Sequence, residues 1–129
     1  MKIGLWSDFL CTCCMIGKKR LSLALDELKQ TQAEIEVKSC LLNPDSEEES
    51  GRPVLDCLLE KTGMSRSQAE GSFRLLTQAG REMGLTLDFA HARYAGTNLA
   101  NRLFQYAKTR GQGAAFQSAC RPRSLLKAW

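Results

Sequence analysis

The chain has 129 residues, 43% of them hydrophobic and 25% charged, with a formal net charge of +4. That length suits one compact domain with its own core, and the composition is that of an ordinary globular protein. No run approaches the roughly 18 apolar residues of a membrane span, and Asp8 breaks the apolar stretch after Lys2 before it could serve as a signal-peptide core. Lys18-Lys19-Arg20, countered by Glu47-Glu48-Glu49, is too short a basic run for a nucleic-acid footprint. The expectation is a soluble, cytoplasmic protein with neither nucleic-acid nor membrane partners. Thiols stay reduced in that compartment, so the six cysteines do not read as a disulfide framework.

Residues 2–7 form a short apolar run with Ile3, Leu5 and Trp6 that ends at Ser7-Asp8, which predicts a buried strand. A helix follows from Cys11 to about Lys29, with Leu21, Leu25 and Leu28, and Cys14 and Gly17 or Lys18 one or two turns earlier, on a buried stripe, while Lys18, Lys19, Asp26, Glu27 and Lys29 fill the other face. Residues 33–42 alternate polar and apolar through Val37 and predict a second strand, closed by Asn43-Pro44-Asp45. Strand, helix and strand in this order make a βαβ unit with parallel strands and a right-handed crossover.

From Pro53 onward the pattern is helical. Val54–Lys61 predicts a short helix ending at Gly63. Ser65 with Gln68 is a capping box that opens a helix to about Gly84. Residues 85–89 are a connector, with Asp88 a candidate start of a short helix. Thr97 or Asn98 caps a helix over Leu99–Arg110, which Gly111 closes. The tail from Gln112 carries weak helical signals broken by Pro122. Three regions result: an N-terminal part over 1–44, a helical region over 45–111 and a tail over 112–129.

The chemistry concentrates in Cys11-Thr12-Cys13-Cys14, a CxxC just after a strand and at the first turn of a helix. Free N–H groups and the helix dipole favour a thiolate there, and in such motifs the first cysteine's pKa falls from about 8.5 to roughly 3.5–7.5. The i, i+3 spacing brings Cys14 within disulfide reach of Cys11. Cys11 would form a mixed disulfide that Cys14 resolves. Two other readings stay open. Cys11, Cys13 and Cys14 could supply thiolates to zinc or copper(I), without the second ligand pair that zinc motifs carry. Cys11 could equally be an inert, buried thiol. Cys40 and Cys57 read as core residues, and Cys120 falls in the tail. His91 reads as a surface residue with no Cys-His or Ser-His-Asp partner set.

The stretch Met1–Leu25, with Trp6-Ser7-Asp8, the CxxC and Ile16-Gly17-Lys18-Lys19-Arg20-Leu21, resembles the DsbA-like thioredoxin-fold family that includes FrnE-type oxidoreductases. Ser39–Pro44 is similar to that family's second-strand ending. Lys61–Ala69, Gly84-Leu85 and Arg102–Lys108 are similar to its inserted helical region. The resemblance implies a thioredoxin-like βαβ half with a largely helical insert. It also implies thiol–disulfide exchange with protein or low-molecular-weight substrates, no cofactor and no metal. Cys11 is the implied nucleophile and Cys14 its partner.

The chain departs from the family in three ways. Thr12 and Cys13 stand where a proline and an aromatic are usual. Asn101 stands where a histidine is usual. No proline follows the pattern of the family's cis-proline loop, and the text after Gln117 no longer resembles the family, so its C-terminal strands are expected to be missing. A two-stranded parallel sheet leaves an exposed apolar edge, which predicts self-association. The alternatives are a truncated, non-catalytic remnant or binding module, and a glutathione-linked isomerase or transferase. In that last subclass serine commonly replaces the first cysteine, which Cys11 with Cys14 argues against.

Overall fold

The computed structural model describes residues 1–29 and 32–120. In chain order it holds β1 (Lys2–Ser7), α1 (Thr12–Glu27), β2 (Glu34–Ser39), a 3₁₀ turn (Pro44–Glu47), α2 (Val54–Thr62), α3 (Arg66–Glu82), α4 (Asn98–Thr109) and α5 (Gly113–Ala119). The two strands pair in parallel, with Lys2 opposite Glu34 and Ser7 opposite Ser39. The βαβ unit expected from the alternation is therefore present. Its second strand is shorter than the predicted 33–42, because β1 ends opposite Ser39. Cys40 still donates to the Ser7 carbonyl at 2.9 Å, but the Leu42 N–H turns to the Asp8 carboxylate instead.

The strand period of two sorts the side chains cleanly. Ile3 and Leu5 share a face with Ile35 and Val37, and Lys2, Gly4 and Trp6 share the other with Glu34, Glu36 and Lys38. The second face is largely ionic. Lys2 lies 4.0 Å from Glu34 and 3.8 Å from Glu36, and the Lys38 ammonium sits 5.5 Å from the centre of the Trp6 ring. Trp6 is 64% exposed, so the apolar surface on this face is one indole under a cation.

Side chains of α4 tie that helix to β2. Lys108 donates to the Val37 carbonyl at 2.8 Å and Gln105 to the Ser39 hydroxyl at 2.7 Å. Just beyond the strand ends, Phe9, Phe104 and Phe116 form an aromatic cluster. Phe9 meets Phe104 edge-on at 5.8 Å and Phe116 edge-on at 6.0 Å.

The helical region follows its sequence signals closely. Gly63, at φ 66°, closes α2 in the left-handed conformation and donates to the Leu59 carbonyl. Ser65 and Gln68 form both bonds of the capping box, at 3.3 and 2.9 Å. Gly80 lets the following loop come close: a Cβ there would lie 2.8 Å from Leu87 Cδ1. The connector differs from expectation at Asp88, which starts no helix. Its carboxylate accepts from the His91 N–H at 3.3 Å and meets the His91 ring at 2.9 Å, closing a turn. Beyond that turn the chain runs antiparallel to residues 51–54, with Val54 donating to Ala92 and Tyr94 to Arg52. Thr97 occupies the N-cap position of α4 without a side-chain capping bond. The weak helical signals after Gln112 become α5, and Pro122 lies outside the described residues.

Phe104 is 4% exposed and touches both other rings of the cluster, so Phe104→Ala is expected to cost about 3–5 kcal/mol. Leu75→Ala, at an exposed position of α3, should stay within about 0.5 kcal/mol of wild type. Urea denaturation of the two variants checks the contrast.

Candidate active site

The site is built by the turn between β1 and α1. Asp8 ends the strand's run: its Oδ1 accepts from the Leu10 N–H at 3.3 Å, and its carbonyl accepts from the Cys11 N–H at 3.1 Å. This turn delivers Cys11 to the N-cap position of α1 with φ −92° and ψ 103°, the extended backbone that a cap requires. Its Sγ accepts the Cys14 N–H at 3.2 Å, the bond a serine or aspartate hydroxyl or carboxylate makes at other helix starts. Cys13, between Cys11 and Cys14, is exposed. The structure thus brings together the two thiols that spacing singled out.

The electrostatics run against expectation. Helix-start placement predicts a depressed thiol, whereas Cys11 is pushed up from an ordinary 9.0 to about 12. Burial is the main cause, since a thiolate loses its hydration there. The Cys14 side chain and the neighbouring Cys14 and Cys13 charges push the same way. The Cys14 backbone N–H pulls it down, and a single capping N–H does not offset the desolvation.

Beside the couple lies a cavity of about 330 Å³, walled by Phe9, Cys14, Lys18, Asn101, Phe104 and Gln117 among others. Lys18 donates to Gln117 Oε1, linking α1 to α5, and burial holds its ammonium below the usual lysine range. Also in its wall, Asp8 and Asn101 are both buried and bonded to each other at 2.9 Å.

Of the remaining sequence candidates, Cys120 lines the same cavity as Cys14, and Cys40, Cys57 and His91 do not. Cys57 is 0% exposed in α2, as expected of a core thiol. Cys40 is half-buried at the end of β2, and Cys120 half-buried after α5. His91 is exposed and paired with Asp88. All six cysteines are free thiols. Among the described residues, no three His, Cys, Asp or Glu side chains are grouped to hold a metal ion, and no helix is long and apolar enough to cross a membrane. Sequence reasoning gave no site role to Asp8, read as a strand end and part of the Trp6-Ser7-Asp8 motif, or to Lys18, read from its place along the helix. The available signal for Asp8 was an acidic residue directly between an apolar strand and a CxxC.

A parallel βαβ unit carrying a CxxC cysteine pair at its helix start defines a structural class of α/β domains. Family and structural comparisons narrow it. The chain belongs to the DSBA-like thioredoxin domain family, whose model matches residues 2–120. Among solved structures it is similar to a probable DsbA oxidoreductase from Streptomyces coelicolor, with 29% identity and a TM-score of 0.83. That match covers 97% of this chain and 54% of the other, so the chain spans about half the length of that relative. No curated protein matches it. The thioredoxin-like, DsbA-type fold read from the N-terminal motif and the helical insert is thus the fold observed, with a two-stranded sheet and a mostly helical remainder.

The raised Cys11 thiol has two consequences that experiment can read. Peptide-resolved alkylation by iodoacetamide should label exposed Cys13 ahead of Cys11 at pH 7, with the Cys11 rate still climbing above pH 10. Below pH 9 Cys11 is protonated whether folded or not, so it leaves stability unchanged there. From pH 9 towards 12 the unfolded chain ionises first, so this group lowers stability as pH rises. Thermal midpoints measured across that window should fall less steeply in Cys11→Ser than in wild type.

Proposed function

We propose that the chain is a thiol–disulfide oxidoreductase working through a Cys11–Cys14 couple, on protein or low-molecular-weight disulfides. The observation that carries this reading is the pair itself: Cys11 Sγ at the helix cap accepts the Cys14 N–H at 3.2 Å, one turn from the Cys14 thiol. The Streptomyces relative's description as a probable DsbA oxidoreductase supports it.

In the reducing direction the Cys11 thiolate attacks one sulfur of the substrate disulfide. A Cys11–substrate bond forms as the substrate's S–S bond breaks, and the first substrate thiolate leaves. The Cys14 thiolate then attacks Cys11 Sγ, closing the Cys11–Cys14 disulfide and releasing the second substrate thiolate. Two electrons pass to the substrate, and the two protons of the dithiol end on its thiols. The opposite direction retraces these steps. A dithiol without a stabilised thiolate loses the factor that makes such couples strong oxidants, so this couple leans further towards reduction than one with a depressed cysteine.

Two finer parts belong to the same proposal. The FrnE-type assignment rests on Trp6-Ser7-Asp8, the CxxC and Ile16-Gly17-Lys18-Lys19. Self-association rests on the outer edge of β1. The Met1 and Ser7 carbonyls accept from β2, so by alternation the N–H and C=O groups of Lys2, Gly4 and Trp6 point away from it.

Oxidised glutathione should convert the reduced chain to a form in which one peptide carries Cys11 bonded to Cys14, found by mass spectrometry without reduction. Cys11→Ser and Cys14→Ser should abolish turnover of a model disulfide, and Cys13→Ser should keep at least half of it. Equal inertness of wild type and Cys11→Ser would leave the non-catalytic reading standing.

A further inference from the structure

Asp8 is 3% exposed and Asn101 6% exposed, and together they link three segments of the fold. Asp8 Oδ1 accepts from the Leu10 N–H at 3.3 Å and from Asn101 Nδ2 at 2.9 Å, while Oδ2 accepts from the Leu42 N–H at 2.8 Å. The carboxylate therefore joins the turn before Cys11 to the exit of β2 and to α4. Asn101 Nδ2 donates also to the Thr97 carbonyl at 3.0 Å, which fixes the amide plane. Its Oδ1 has no hydrogen-bond partner among the described residues. Packing alone would be served better by an apolar side chain, because a buried acceptor without a donor is a cost. Both residues also wall the cavity that Cys14 lines.

We propose that Asp8 and Asn101 are positioning residues for the thiol couple. They hold the Asp8–Cys11 turn against α4, and this fixes Cys11 Sγ on the Cys14 N–H. The inference rests on the oxidoreductase reading above. Removing the Asn101 donor frees Asp8 to re-aim at water, the Cys11 N–H to Asp8 carbonyl bond shifts with it, and the balance between dithiol and disulfide changes. Neither residue touches substrate sulfur. Their effect passes through Cys11.

The test is the equilibrium constant of the Cys11–Cys14 couple against reduced and oxidised glutathione. Asp8→Asn, a near-isostere that turns one acceptor into a donor, and Asn101→Ser should each change that constant by at least fivefold. The double variant should change it no more than the larger single one, because the two share a bond. Phe73→Leu, which loosens the Phe73–Phe89 stack in the helical region, serves as a control of comparable thermal loss with an unchanged constant. Folded variants that keep the wild-type constant overturn the proposal.

If the variants do not fold, hydrogen exchange on wild type decides. Coupling is reciprocal, so the Leu42 amide, held by Asp8, should differ at least fivefold in protection between dithiol and disulfide forms. Equal protection overturns the proposal. If wild type forms no Cys11–Cys14 disulfide, the oxidoreductase reading fails separately. The clamp is then read from the Cys11 alkylation rate in Asp8→Asn, and a rate equal to wild type overturns it.

Discussion

A carboxylate taken out of water costs several kcal/mol unless hydrogen-bond donors replace its hydration, and at Asp8 the chain meets this demand with two backbone amides and one side-chain amide. Each donor comes from a different part of the chain, so satisfying one buried group brings three segments together. The Leu10 amide sets the turn into α1, the Leu42 amide ends β2, and Asn101 seats α4 beside both. The cysteine pair inherits its placement from this arrangement, because the Cys11 N–H closes on the Asp8 carbonyl.

The sheet itself is small, and the fold compensates in two ways. One face is covered by ions and by a cation over an indole. The strand ends are closed off by the Phe9, Phe104 and Phe116 cluster, in which two edge-on ring pairs add about 0.5–1.5 kcal/mol each beyond area burial. The helices α2 and α3 pack on each other and α1 on α3, while α4 carries the direct bonds to β2. The cavity beside Cys14 is lined by residues of α1, α4 and α5, and Lys18 on α1 reaches Gln117 on α5 in its wall.

Local rules were legible wherever one local signal decided the outcome. The β1 run, the parallel βαβ order, the capping box at Ser65 and the left-handed close at Gly63 all appeared as read. Departures came where a distant group competed for the backbone. Leu42 left the strand because Asp8 takes its N–H, and residues 92–94 became extended because residues 51–54 supply partners. The Asp88 turn was legible as a start signal but not as a stop, since its carboxylate closes on His91 three residues on instead of opening a helix.

The sequence by itself determined that Cys11 and Cys14 meet at the first turn of a helix, because a spacing of three there sets them one turn apart, and it determined the family through the motif around them. Only the tertiary structure decided the state of that pair. Whether a thiol at a helix cap is acidic or inert depends on how much water surrounds it. Hydration is settled by segments far away in sequence, and here those segments bury Cys11 enough to outweigh the helix's pull. The roles of Asp8 and Asn101 belong to the same category: 93 positions separate them, and their hydrogen bond exists only once α4 has folded back onto the turn.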